Sequence, residues 1–421
     1  MASAFQLAAE QYAAFEVDVE RALERLSRLS ISVHCWQGDD VGGFEGLGTE
    51  LGGGLAVTGS YPGKARDAEE LRSDAEVAFR LLPGTHRFNL HASYAEGDSD
   101  RGGAANVDRN QLEPRHFADW IAWAKSLGIG LDFNPTFFAH PLAASGMTLA
   151  HIDPAIRGFW IEHGRATRRI AAAFGAELGS PAVHNLWIPD GMKDLPADRW
   201  SPRARLSESL DRILADDYPQ SQVIDSVEGK LFGIGSESYV VGSHEFYLGY
   251  ATRRRIALCL DSGHYHPTEE MADKLSAVLQ AVPMVLLHVS RGVRWDSDHV
   301  VILNDELKAI AAEVVRGDCL ERVRIGLDYF DASINRIAAW ILGVRATQQA
   351  FLQAFLEPSH QLRQLETRGD FTGRLALLEQ AKLLPWGLVW AEFCERANVS
   401  SGWEWLQTVR HYEQTVQSLR R

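Results

Sequence analysis

IALCLDSGHYHPTEEMADKLSAVLQAVPMVLLHVS, residues 256–290, carries the reading of the fold. A short leucine-rich run ends on Asp261 and gives way to a turn containing Gly263 and Pro267. Met271, Leu275, Val278 and Leu279 then recur at helical spacing, and a second apolar run, MVLLHVS (284–290), ends around His288. Strand, helix, strand, with both strands apolar along their length, is the pattern of a parallel βαβ unit whose sheet is covered on both faces.

Outward from this unit the same alternation fills the chain. Comparable apolar runs are ISVHCW (31–36), RFNLHA (87–92), GLDFNP (130–135), AVHNLWIP (182–189), VIDSVEGK (223–230) and RVRIGLDYF (322–330), which with the first two make eight. Between them, Phe117, Trp120, Ile121 and Ala124 follow helical periodicity. So do Leu307, Ile310, Ala311 and Val314, after Asn304 as N-cap and with Asp305 and Glu306 in the first turn. Eight strand–helix units predict an α/β fold, a (β/α)8 TIM barrel, with a doubly wound open sheet as the other solution.

A plain barrel needs about 250 residues, and this chain has 421. The surplus reads as one long N-terminal helix over residues 1–30 and a helical C-terminal extension. The expected division is a barrel domain at 1–345 and an extension at 346–421 that packs on the barrel or on a neighbouring subunit. Gly-rich loops at 43–65 and 96–106 follow the first two strands, and loops at strand ends are where a barrel carries its function.

Composition narrows the class. Lys and Arg total 42 against 56 Asp and Glu, a net charge of −14, which argues against nucleic acid and anionic membranes as partners. There is no apolar run of about 18 residues to span a bilayer, and the N-terminal stretch lacks the basic region of an export signal. The four cysteines are dispersed and form no CxxC, so neither a disulfide framework nor a thiolate zinc site is expected. A cytoplasmic enzyme is the expectation. No GxSxG elbow, GxGxxG turn or GxxxxGK[ST] phosphate loop is present.

The chemistry lies in how the strands end. Glu228, Asp261, His288 and Asp328 close four successive runs. A carboxylate or imidazole in a leucine/valine run is costly to bury unless paired or bound to a cation, and in a parallel barrel all C-terminal strand ends meet at one mouth. Any one of the four is read most simply as part of a hydrogen-bond network. Four in series read as a hard, oxygen-rich cation site suited to Mn²⁺ or Mg²⁺. His264 and the pair Asp296 and Asp298, two apart in a presumed extended segment, form a second candidate set; ordinary turn chemistry is the alternative. Lys230, two residues past Glu228, is placed to stabilise an oxyanion if it faces the mouth. Trp36, Phe137, Phe138, Trp187 and Trp295 are candidates for stacking on sugar C–H faces, or else core residues. The residues alone thus describe a two-cation barrel enzyme for a small polyhydroxylated or carbonyl substrate.

Longer motifs go further. HCWQGDDVGGFE (34–45), NLHASYAE (89–96), GLDFNPTFFAHP (130–141), NLWIPDGMKD (185–194), CLDSGHYHPTE (259–269), LLHVSRGVRWDSDHVV (286–301) and IGLDYFDASINRIAAW (325–340) closely resemble the L-rhamnose isomerase family, as do YPGKARDA (61–68) and KLFGIGSESYVVGSHEFYLGYA (230–251). The resemblance implies metal-dependent aldose–ketose isomerisation of L-rhamnose and L-rhamnulose on a (β/α)8 barrel, in a cytoplasmic homotetramer. It implies a structural metal on Glu228, Asp261, His288 and Asp328 and a catalytic Mn²⁺ on His264, Asp296 and Asp298, with Mg²⁺, Co²⁺ or Zn²⁺ as alternatives at one site. Lys230 and His91 match substrate-contacting positions, and Trp187 and Asp328 are expected beside them as substrate contacts. The alternatives left open are a two-metal hydrolase on the same scaffold and a related isomerase with a different preferred sugar.

Overall fold

The computed structural model describes residues 3–45, 57–97, 107–230, 238–293 and 297–420. Eight parallel strands close into a barrel: β1 (Ile31–His34), β2 (Arg87–His91), β3 (Gly130–Asn134), β4 (Ala182–Trp187), β5 (Val223–Glu228), β6 (Ala257–Asp261), β7 (Val285–Val289) and β8 (Val323–Leu327). Their spatial order follows the sequence, and β1 closes the ring by pairing with both β8 and β2. Each of the eight apolar runs contains one strand, and a helix follows every strand. The open-sheet alternative is thereby excluded.

Alternation along the strands sorts the two faces. Phe88, Leu90, Leu131, Phe133, Leu258, Leu260 and Leu287 belong to the main core beneath the helices. The lumen differs from that core. Its apolar content is a separate small cluster of Val183, Cys259 and Leu286, and buried polar side chains such as Ser32, His34, Asn89, Asp132 and Asn134 share the remainder.

Helix caps explain several boundaries. Asn304 Oδ1 accepts from the Leu307 amide at 2.9 Å and starts the helix Asp305–Arg316, as the sequence predicts. The expected single helix over residues 1–30 is instead two, Ala4–Ala13 and Val19–Ser27. The chain breaks at Glu16, which sits at φ +57°, and Asp18 Oδ1 recaps it by accepting from the Glu20 and Arg21 amides. The break lets the second helix turn Ala22, Leu23 and Leu26 into the core. The extension after β8 is helical as expected: Arg336–Phe355 runs across residue 345, and four shorter helices follow it, Ser359–Thr367, Phe371–Ala381, Trp386–Arg396 and Trp405–Thr415. No described helix is long and apolar enough to cross a membrane.

Two short strand pairs roof the C-terminal face of the barrel. Thr58–Gly59 pairs with Asp331–Ala332, and Gly191–Met192 pairs with Tyr239–Val240. Most of the two Gly-rich loops, 46–56 and 98–106, lies outside the described residues.

Candidate metal centre and substrate pocket

Each of the four carboxylate and imidazole groups at the strand ends arrives by strand geometry. Glu228 and Asp261 are the last residues of β5 and β6, His288 is the penultimate residue of β7, and Asp328 follows β8 directly. Asp261 and His288 are opposite each other in the β6–β7 ladder. One donor atom from each of the four lies within 4.8 Å of the others, and all four residues are buried. His288 Nδ1 is 3.0 Å from Asp328 Oδ2, 3.2 Å from Glu228 Oε2 and 3.8 Å from Asp261 Oδ2. Asn185 Nδ2 donates to Glu228 Oε2 at 2.6 Å and fixes that carboxylate from β4.

Three buried carboxylates around one imidazole are electrostatically strained unless positive charge is present. Burial works against protonation of His288, yet the neighbouring Cys259, Glu228 and Asp328 outweigh it and raise its pKa well above the ordinary value. Burial likewise works to neutralise Glu228, but His288 and His264 hold it ionised, well below the usual carboxylate range. For Asp328, burial prevails over His288 and raises its pKa. The donors, three oxygen acids and one nitrogen at mutual coordination distance, fit a divalent cation, which would satisfy all four at once.

His264 stands beside this cluster on the tight turn Ser262–His264 that follows β6. Its Nδ1 is 3.0 Å from Glu228 Oε1, and its ring lies near-parallel to Trp187 at 6.3 Å between centroids. Burial opposes its charge, but Asp261 and Glu228 bring its pKa up to about 9. Asp298 lines the same small cavity, of about 30 Å³, as His264, Glu228, Asp261 and Asp328. Asp298 adopts φ +45°, a left-handed backbone conformation and not the extended one that the two-apart argument supposed. Asp296 and Trp295 lie outside the described residues.

Aromatic and basic groups complete the pocket. Trp36, Trp187, Phe330 and Lys230 line the cavity, and Lys230 Nζ lies 5.7 Å from the centre of the Trp187 ring. Phe138 meets Trp187 at 5.6 Å, whereas Phe137 packs outward on Trp160 and His163 as a core residue. His91, the last residue of β2, lies 4.1 Å from Trp36 centroid to centroid. Burial, reinforced by His288, depresses the His91 pKa to about 3, so the ring is neutral at physiological pH.

The sequence reading left several contributors without a role. His34 at the end of β1 places Nδ1 3.2 Å from Asp328 Oδ1, and Asn89 Nδ2 lies 3.0 Å from His34 Nε2. Asn89 donates in turn to Asn134 Oδ1 at 3.2 Å. This belt crosses β1, β2 and β3 and braces Asp328 from the half of the barrel that supplies none of the four clustered donors. Its sequence signal was the same one used for the ligands, a polar residue near the end of an apolar run. That signal marks His34 and Asn134 in the sequence, but neutral Asn and His carry no charge-burial penalty and so point to no role.

The model of the L-rhamnose isomerase (RhaA) family matches residues 1–421. Among curated proteins, the chain is 60% identical over 417 residues to an L-rhamnose isomerase of Rhodopirellula baltica, covering 99% of this chain and 96% of that one. L-rhamnose isomerases of Cronobacter sakazakii and Escherichia coli O9:H4 match over the same 417 residues at 58% and 57% identity, covering 98% of each.

Proposed function

The chain belongs to the L-rhamnose isomerase family, and from that premise we propose that it interconverts L-rhamnose and L-rhamnulose as a metal-dependent aldose–ketose isomerase. The observation that carries the mechanism is the convergence of Glu228, Asp261, His288 and Asp328 at one mouth, with His264 against them. These four would hold one divalent cation, and His264, Asp296 and Asp298 a second, with Mn²⁺ the assigned metal and Mg²⁺, Co²⁺ or Zn²⁺ able to replace it at one site. When bound, such a cation supplies Lewis-acid polarisation and lowers the pKa of a coordinated hydroxyl.

The chain's own groups do the rest. Lys230 stabilises negative charge that develops on a substrate oxygen. His91, neutral in its buried setting, accepts or returns a proton during ring opening. Trp36 and Trp187 present apolar faces to the sugar and, with Phe330, keep water away. Asp328, braced by His34, serves both the cation and the substrate hydroxyls beside it. Every described carboxylate lining the cavity belongs to one of the two ligand sets, which leaves no unligated carboxylate base among them. That favours direct transfer of hydrogen between C2 and C1 over an enediol route. Solvent-tritium exchange tests this preference: substantial label at product C1 would defeat it.

Family membership favours isomerisation over the two-metal hydrolase alternative. We assign the chemistry to residues 1–345 and a supporting role to 346–421, and we infer a cytoplasmic homotetramer. Light scattering that returned a monomer at micromolar concentration would overturn the tetramer. The experiment that tests the function is a ketose assay on EDTA-treated protein with L-rhamnose, before and after adding Mn²⁺. Activity returns with the metal, and His264→Ala and Asp296→Ala each lower it about 100-fold or more. Folded protein that forms no ketose with any metal would overturn the assignment.

A further inference from the structure

A large cavity lies at the opposite end of the barrel from the metal centre. It encloses about 430 Å³, within the roughly 300–1,000 Å³ range of small-molecule sites. It opens where the strands begin, beside the Ser180–Pro181 turn before β4 and the first residues of β8, and reaches up the lumen as far as His34 and His288. A barrel interior is ordinarily filled by layers of bulky side chains. Here the separate apolar cluster in the lumen is only Val183, Cys259 and Leu286, and the lower lumen stays open.

The walls carry one more arginine than carboxylates, since Asp132, Asp318 and Glu321 also line them, and they are incompletely satisfied. Four arginines line them: Arg25, Arg28, Arg87 and Arg324. Arg87 is committed to Asp132 through two hydrogen bonds of 2.9 Å. Arg25 and Arg28 are already paired, Arg25 with Asp318, which also lines the cavity, at 3.6 Å, and Arg28 with Glu24 at 2.6 Å. Arg324 is different: its guanidinium finds only the carbonyls of Glu321 and Val323, at 3.4 and 3.5 Å, and no ion pair among the described residues. Burial and the nearby Arg87 lower its pKa from the ordinary value, and Asp132 and Glu321 offset this only in part. Deeper in, Ser32 Oγ lines the cavity from a residue 6% exposed and has no hydrogen-bond partner among the described residues. Buried polar atoms without partners are rare, and a planar guanidinium with free donors suits a tetrahedral oxyanion.

We propose that this rear cavity binds a small phosphate-type anion, free phosphate or a phosphate monoester, seated on Arg324 with Ser32 donating its hydroxyl proton. Neither Arg324 nor Ser32 belongs to the metal centre, and the proposal stands independently of the isomerase assignment.

The test is thermal unfolding and calorimetry of the metal-loaded protein, titrated at constant ionic strength with inorganic phosphate and, in a second arm, with glycerol 3-phosphate. The wild type shows a saturable upward shift of the midpoint. Arg324→Gln loses it, and Ser32→Ala weakens binding measurably while leaving the unliganded midpoint near that of wild type. Tighter binding of glycerol 3-phosphate identifies an ester as the better ligand, and equal or weaker binding identifies free phosphate. No saturable shift in the wild type overturns the proposal. A shift retained in both variants also overturns it, since that is what phosphate acting at the metal centre would give. Should Arg324→Gln fail to fold, Ser32→Ala alone decides.

Discussion

Gly326 lacks a side chain where His288 needs room: a Cβ there would stand 3.1 Å from His288 Cδ2. Gly326→Ala therefore leaves the β7–β8 ladder in place but pushes the imidazole off its three carboxylate neighbours. Displacing a ligand's support costs about 10–100-fold in metal affinity, so titration of the apoprotein with Mn²⁺ should show weaker binding of that order. Asp39 is a second residue whose setting makes a prediction. It is buried, with Oδ1 accepting from Tyr94 Oη at 2.6 Å and Oδ2 accepting from the Gly43 amide at 2.7 Å. Burial prevails over these bonds and raises its pKa to about 7. The folded state thus holds a proton that the unfolded chain gives up near pH 4. The stability Asp39 contributes is fully present below that pH and is lost as the pH rises to 7, with a slope of at most about 1.4 kcal/mol per pH unit. Urea midpoints between pH 5 and 8 should fall more steeply for the wild type than for Asp39→Asn.

At the scale of the element, helix Pro154–Leu178 lies against the turn leading into β5, and Gly175 is the point of contact. A Cβ at 175 would fall 1.9 Å from the Gln222 carbonyl oxygen, a backbone atom that cannot rotate away. Overpacking of this kind costs about 1–3 kcal/mol, and Gly175→Ala should lower a denaturant midpoint accordingly while Gly158→Ala, with open space around it, should not. Strands were legible in the sequence because each is a short, mainly apolar run with a polar residue at or near its end, and barrel geometry then brings those residues together without further information. What stayed illegible has specific causes. The break at Glu16 depends on one left-handed residue and on the Asp18 cap, inside a stretch whose composition is helical throughout. Asp298 reaches the cavity it shares with His264 from a left-handed residue, which strand periodicity does not encode. The bracing role of His34 and Asn89 depends on contacts between β1, β2 and β8 that no local pattern encodes.

Across the whole molecule, the C-terminus acts as a fastener. Arg420 makes hydrogen bonds of 2.6 and 2.7 Å to the two oxygens of Asp74, which is fully buried on helix Ala68–Arg80. Gln417 Oε1 accepts from Asn335 Nδ2 at 2.7 Å, and Asn335 Oδ1 caps the helix that follows β8. The last turn of the chain thereby holds the segments after β1 and β8 together. Removing one partner of a buried pair strands the other's charge and costs about 3–5 kcal/mol. Arg420→Ala should destabilise by that amount in chemical denaturation, and adding Asp74→Ala should restore part of the loss.

The pairing of β1 with β8 also sets a schedule. During synthesis the first seven strands can only form an open sheet, with β1 waiting at one exposed edge and each new strand exposing another, the condition that invites misassociation. The wait ends when residues 323–327 emerge, and the next residue made, Asp328, is the last of the four clustered donors and the one that touches His34 on β1. Ring closure and completion of the cation site are therefore one event, so a nascent chain released short of residue 328 has neither.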